Sequence, residues 1–152
     1  MMSFQWEPLD RLLNDGLEKI AYQDWLEIGV DHEKIPLEVD YDYYRSLERA
    51  GGYRAIAARH NGRLVGYNSF FLNRHTRHRN TVFGQNDVLY LLPDKRRGLL
   101  GFRFLAESDA LLKAAGAVKV RYDVTEQHRA LGVILERLGY RREAVAWTKV
   151  LA

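Results

Sequence analysis

The chain has no cysteine. That excludes disulfides, thiolate metal sites and cysteine nucleophiles together. No apolar run approaches the ~20 residues that a membrane-spanning helix needs. No serine stands in a G-x-S-x-G turn, so the usual nucleophile elbow of a hydrolase is missing. Repeats, low-complexity tracts and an evident linker are missing too. The opening MMSFQWEPLD has neither the basic nor the apolar region of a secretion signal. What remains is the expectation of one cytoplasmic domain, residues 1–152, with no membrane contact.

The composition fits that expectation. Of the 152 residues, 47% are hydrophobic and 28% charged, as in a globular chain long enough to bury a sizeable core. The net charge of +3 hides an asymmetry. Residues 1–50 carry 5 Lys/Arg against 12 Asp/Glu, and residues 51–152 carry 18 against 8. An acidic first third could serve a basic substrate and a basic remainder an anionic cofactor; equally, the two could face each other or water.

Hydrophobic spacing outlines the elements. Leu9 to Gly29 repeats apolar residues at near-helical intervals, with Gly16 as the one break, and Leu37 to Ala50 predicts a second helix ending at Gly51-Gly52. Tyr53 to His60 and Arg63 to Leu72 read as strands joined by Asn61-Gly62, the strongest short hairpin signal. Asn73 to Asn80 reads as a basic loop, and Thr81 to Leu92 as a third strand. A helix from Gly101 to Gly116, an alternating strand from Val118 to Val124, a helix from Glu126 to Leu138 and a closing strand from Tyr140 to Leu151 complete the order. Strands in both hairpins and crossovers predict a mixed sheet.

The most informative stretch is VLYLLPDKRRGLLGFRFL, Val88 to Leu105. A buried strand ends at Pro93, and a turn with Lys95, Arg96, Arg97, Gly98 and Gly101 opens a helix. Cations at a helix N-terminus oppose the helix dipole, so their presence makes sense beside a bound anion. A solvated basic turn is the other reading.

These residues, in this order, resemble the GNAT N-acetyltransferase superfamily, and most closely its small members common in phage genomes. RHNGRLVGYNSFF resembles its strand pair, PDKRRGLLGFRFL its acetyl-CoA loop, LERLGY the end of its last helix and VAWTKVL its closing strand. The basic loop RHTRHRN followed by Asp87-Val88-Leu89-Tyr90-Leu91 and Pro93-Asp94-Lys95-Arg96-Arg97 resembles the phage subgroup. The resemblance covers Tyr53 to Leu151 well and the N-terminal helices in outline. It implies a single α/β (α+β) domain, with a mixed central sheet of about six to seven strands flanked by about four helices. It implies acetyl-CoA as cofactor, with CoA as product. Backbone N–H groups of Arg96, Arg97, Gly98, Leu99, Leu100, Gly101 and Phe102 would hold the pyrophosphate, and the backbone of Leu89 and Leu91 the pantetheine arm. Leu99 stands where the pattern usually has its middle glycine.

The implied reaction moves an acetyl group to a primary amine, on a small molecule or a protein, by direct attack without a covalent enzyme intermediate. Asp87 is the candidate base, on a strand face shared with Leu89 and Leu91; the other reading is a structural carboxylate bonded to the preceding loop. The family's usual acid is a tyrosine, but Leu135 occupies its position. His128, Tyr122 and Tyr140 are the substitutes, with His128 at the start of the last helix. The five histidines show no metal-ligand spacing. Trp25, Tyr41, Tyr43 and Tyr44 could line an acceptor pocket, with Asp40 and Asp42 drawing in an amine, or simply pack helices onto the sheet. Arg74, His75, Arg77, His78 and Arg79 could flank the cofactor's phosphates or the acceptor mouth, or contact nucleic acid, the less expected partner. A non-catalytic CoA-binding or interaction module is the alternative that Leu99 and Leu135 motivate. The closing strand could pair two copies as a homodimer.

Overall fold

A computed structural model describes all 152 residues. The chain opens with a strand, β1 (Met2–Glu7), then α1 (Leu9–Asn14), α2 (Leu17–Ile28) and α3 (Tyr41–Arg49). A meander follows: β2 (Tyr53–His60), β3 (Arg63–His75) and β4 (His78–Leu91). A one-turn helix at Pro93–Lys95 leads into α4 (Leu100–Ala114), β5 (Ala117–Arg121) and α5 (Arg129–Arg137). The sheet runs β1-β2-β3-β4-β5, antiparallel except for the parallel β4–β5 pair. The mixed sheet is therefore as expected. It has five strands rather than six or seven, and five α-helices rather than four.

Each departure has a local cause. The single helix expected from Leu9 to Gly29 is two, because Gly16 sits at φ +99°, where the chain turns out of the helix. Met2, Phe4 and Trp6 alternate with Ser3 and Gln5 to form β1, a period-two signal only six residues long. The basic loop is hairpin instead: β3 runs on to His75 and β4 starts at His78, their polar side chains exposed. Asn61 and Gly62 both have positive φ, 50° and 83°, as the Asn-Gly hairpin turn requires.

The closing strand does not form. Residues 141–152 make no backbone–backbone hydrogen bond, and Trp147 is 92% exposed. Glu143 reaches Lys119 of β5 at 2.8 Å, yet the segment does not join the sheet.

Two cores flank the sheet. Strand alternation sends Tyr53, Ala55 and Ala57 to one face against Leu9, Leu12, Leu17 and Ile20 of α1 and α2. It sends Ile56 and Ala58 to the other, with Phe104 and Leu112 of α4. No helix is long and apolar enough to cross a membrane.

Candidate active site

The site begins with an irregularity in β4. Asn68 pairs with Leu89 and Phe70 with Asn86, so the single residue Ser69 faces two, Asp87 and Val88. This is a β-bulge, and it turns both side chains toward the α1–α3 face. Asp87 therefore does not share the face of Leu89 and Leu91, which pack on the α4 side; the extra residue breaks the period of two. A buried polar network holds the bulge. Val88 N–H donates to Ser69 Oγ at 3.2 Å, and Asn86 Nδ2 donates to Asn68 Oδ1 at 2.7 Å and to the Ser69 carbonyl at 3.1 Å. Asn68 Nδ2 donates in turn to Ser108 Oγ (3.0 Å) and Tyr122 OH (2.9 Å). Asn68, Ser69 and Ser108 are fully buried. Replacing Asn68 with leucine is expected to cost about 1–3 kcal/mol, because the Asn86 amide and the Tyr122 hydroxyl lose a buried partner. Urea unfolding measures it.

Beyond the bulge the sheet opens. Pairing of β4 with β5 ends at Gln85↔Arg121, leaving the remainder of β4 without a neighbour on that side. Leu92 N–H donates to the Val65 carbonyl at 2.8 Å, so alternation aims the backbone polar groups of Leu91 and Leu89 into the opening. Arg96 Nε already donates to the Leu91 carbonyl at 2.6 Å.

The turn after β4 offers a row of donors. The N–H groups of Arg97, Gly98, Leu99, Leu100, Gly101 and Phe102 find no acceptor within the chain, whereas that of Arg96 is bonded to the Pro93 carbonyl at 3.2 Å. Gly98 sits at φ +66°, a conformation that favours glycine. The Leu99 side chain points to solvent, 74% exposed, and leaves its amide in the row. α4 has no acidic residue in its first turn and no side-chain cap. Its N-terminus keeps the donors and partial positive charge that suit an anion. Gly101 is not demanded by packing: a Cβ there would meet only Ile134, at an ordinary 3.9 Å. These residues fit a CoA pyrophosphate.

Arg96 is committed elsewhere. Its guanidinium forks onto Glu27 of α2 at 2.9 and 3.0 Å and lies 4.9 Å from the Tyr90 ring. Tyr90 OH donates to the same carboxylate at 3.1 Å, and His128 Nε2 stands 3.5 Å from it. Burial pushes the Glu27 carboxyl upward, but the Arg96 hydrogen bonds and charge, with help from Tyr90, hold it below its usual range. The hub ties α2 to the end of β4 and to the start of α5.

Beside it lies a cavity of about 350 Å³, lined from α1, α2, α3, the segment after α2, and β2 to β4. Trp25, Tyr41 and Tyr44 line it, and Tyr41 and Tyr44 also pack against the core; Tyr43 does not line it and is exposed. Neither expected acid enters. Asp40 caps α3 by accepting from Tyr43 N–H at 2.9 Å, and Asp42 pairs with Arg45 at the surface. The carboxylates that do line it are Asp24 and Asp87. Asp87 Oδ2 accepts from Tyr44 OH at 2.7 Å; burial raises its pKa, and hydrogen bonds from Tyr44 and Ser69 oppose the rise. Burial pushes Asp24 up to about 7, reinforced by the charges of Glu27 and Asp87 and opposed by Arg96. Asp24 and Glu27 were not legible as site residues. For Asp24 the signal is position: Ile20, Asp24 and Ile28 recur at intervals of four along one face of α2, and an acid in an apolar stripe is the exception.

Of the substitutes for the missing tyrosine, His128 meets Glu27 rather than Asp87. Tyr122 OH is bonded to Asn68, and Tyr140 donates to Asp109 of α4. Leu135 is buried. Arg74, Arg77 and Arg79 sit at the β3–β4 hairpin tip, the opposite end of β4 from the donor row, so they do not flank a phosphate bound there.

Solved structures with this architecture are acetyltransferases. An acetyltransferase of Trypanosoma brucei is 20% identical, with a TM-score of 0.71 over 99% of this chain and 100% of that one. The ribosomal-protein-alanine N-acetyltransferase of Brucella melitensis biovar Abortus 2308 is 14% identical, with a TM-score of 0.76 over 100% and 99%. AAC(6')-Iy, solved with the bisubstrate analogue CoA-S-monomethyl-acetylneamine, is 13% identical, with a TM-score of 0.70 over 100% and 99%. No protein-family model and no curated protein matches the chain. The fold is that of the GNAT acetyltransferases.

Proposed function

We propose that the protein is an acetyl-CoA-dependent N-acetyltransferase acting on a primary amine. The observation that carries this is one juxtaposition. The open side of β4 lies between a row of six unpartnered N–H groups and a cavity holding two carboxylates, Asp24 buried and Asp87 half-buried. Anion cradle, strand-like slot and amine pocket stand in the order that a thioester cosubstrate and an amine require.

Acetyl-CoA, when bound, supplies the thioester that the amine attacks. The chain's part is to hold both and move protons. Residues 97–102 give backbone donors to the pyrophosphate, and Leu89 and Leu91 line the slot. Asp87 takes the proton from the ammonium, directly or through one water, and Tyr44 fixes its orientation. Asp24 adds negative charge that draws the ammonium in. His128, whose Nε2 lies 3.5 Å from Glu27, is the candidate proton donor to the departing thiolate. Arg96 acts by positioning, clamping α2 onto the end of β4.

Titration calorimetry with acetyl-CoA tests the reading. Micromolar binding is expected, weakened about tenfold or more in an Arg96→Ala/Arg97→Ala double variant, which removes the Arg97 cation beside the donor row and the Arg96 clamp that positions the end of β4. An absence of binding at millimolar acetyl-CoA overturns it, and leaves a non-catalytic interaction module as the next candidate.

We propose a homodimer, and the C-terminal segment supports it. β5 has one unpaired edge, with Val118 75% exposed, and residues 141–152 carry unpaired backbone in a strand-like pattern. Edge strands of this kind pair with another chain unless protected. Light scattering is expected to give twice the 17.7 kDa of one chain. Removing residues 142–152 is expected to return the monomer with acetyl-CoA binding unchanged.

A further inference from the structure

The cavity's composition narrows the acceptor. Thirteen of its sixteen lining residues are apolar or aromatic, among them Leu17, Ala21, Trp25, Ile28, Leu37 and Tyr67. Beyond the tyrosine hydroxyls and the Trp25 indole N–H, its polar side chains are Asp24 and Asp87, both acids. Its volume of about 350 Å³ stands at the small end of the range of ligand pockets, roughly 300–1,000 Å³. We infer that the acceptor is a small cationic amine on an apolar body, an alkylamine or arylalkylamine, and that amino sugars are excluded. This rests on the acetyl-transfer reading and names the substrate class of the same site.

Three features of the wall carry it. An amino sugar brings several hydroxyls, and each must keep a hydrogen-bond partner or lose affinity on burial. The cavity has few to give. Tyr44 OH is already committed to Asp87, and Leu9, Leu17, Val39 and Val88 offer none. An apolar body, by contrast, gains from every methylene buried there. The ammonium has two acids to meet, and Trp25, held by its stack on His32 with ring centroids 3.9 Å apart, adds an aromatic side chain to the wall. The cavity floor is fixed. Gly29 allows the Trp25–His32 stack because any Cβ there would fall 2.4 Å from the Trp25 carbonyl oxygen. The Tyr44 ring stands edge-on to Tyr53, at 4.8 Å between centroids.

The experiment uses the wild-type protein, so no variant can fail to fold. Titration calorimetry is run separately with ethylamine, butylamine, hexylamine, phenethylamine, 1-hexanol, glucosamine and acetyl-CoA. Affinity is expected to climb about fourfold per methylene from ethylamine to hexylamine, the factor that ~0.8 kcal/mol per buried CH₂ gives. 1-Hexanol is expected to bind at least ~10-fold more weakly than hexylamine, because it lacks the charge that the two acids recognise. Glucosamine is expected to bind at least ~100-fold more weakly than phenethylamine. A flat response to chain length, equal binding of the alcohol, glucosamine as tight as phenethylamine, or no binding by any amine overturns the substrate class. The acetyl-CoA arm is read independently. If acetyl-CoA fails to bind while hexylamine binds, the transfer reading falls and the amine site stands. If acetyl-CoA binds and the amine series is flat, the reverse holds.

Discussion

Replacing Asp87 with asparagine is expected to lower kcat by about 10²–10⁴, with acetyl-CoA affinity unchanged. Asparagine keeps an oxygen for the Tyr44 hydroxyl, so the bulge and the cavity wall should survive. What is lost is a group able to take a proton. The wild-type pH profile gives an independent check. Because burial raises the Asp87 pKa, the ascending limb of kcat/KM should lie above the ordinary carboxylate range, activity growing as the base ionises. In the Asp87→Asn variant that limb should disappear from the residual activity. An unchanged kcat would assign Asp87 to structure alone, as the partner of Tyr44, and move the search for a base to Asp24.

Asp87 stands out in the sequence as a candidate base; the environment that the structure gives it was not legible there. Two-residue periodicity put it on the Leu89 face. The bulge opposite Ser69 moved it to the other one, and a bulge leaves no mark in a hydrophobic pattern. The donor row was legible because it is local: glycines, basic residues and an apolar helix all lie within one short stretch. The role of Arg96 was not, because its partner Glu27 is 69 residues away in the chain. Such long-range pairs are visible only once the elements are docked. The same holds for the cavity acids. Asp40 and Asp42 were the nearest acids in sequence to the tyrosines, but helix capping and a surface ion pair claimed them. The closing strand failed for a different reason. Its alternation is real, but a strand needs an edge to pair with, and the segment does not join β5 of its own chain.

Asp24 sets up the second large effect, on stability. Asp24 is 9% exposed in an apolar wall, and burial pushes its carboxyl from 3.8 up to about 7. In the unfolded chain it ionises at the lower value, so between pH 4 and pH 7 the native state holds a proton that the unfolded state has released. Stability must then fall as pH rises through that window and level off above it. The shift is roughly three units at about 1.4 kcal/mol each, so the loss is at most about 4 kcal/mol by pH 8. Asp24→Asn removes the titration. The variant is expected to match the wild type near pH 4 and to exceed it in urea unfolding at pH 8, with the difference opening between those values. Parallel curves for the two proteins would show that Asp24 is solvated in the native state. The same substitution is expected to raise KM for the amine, because the ammonium loses one of its two counter-charges.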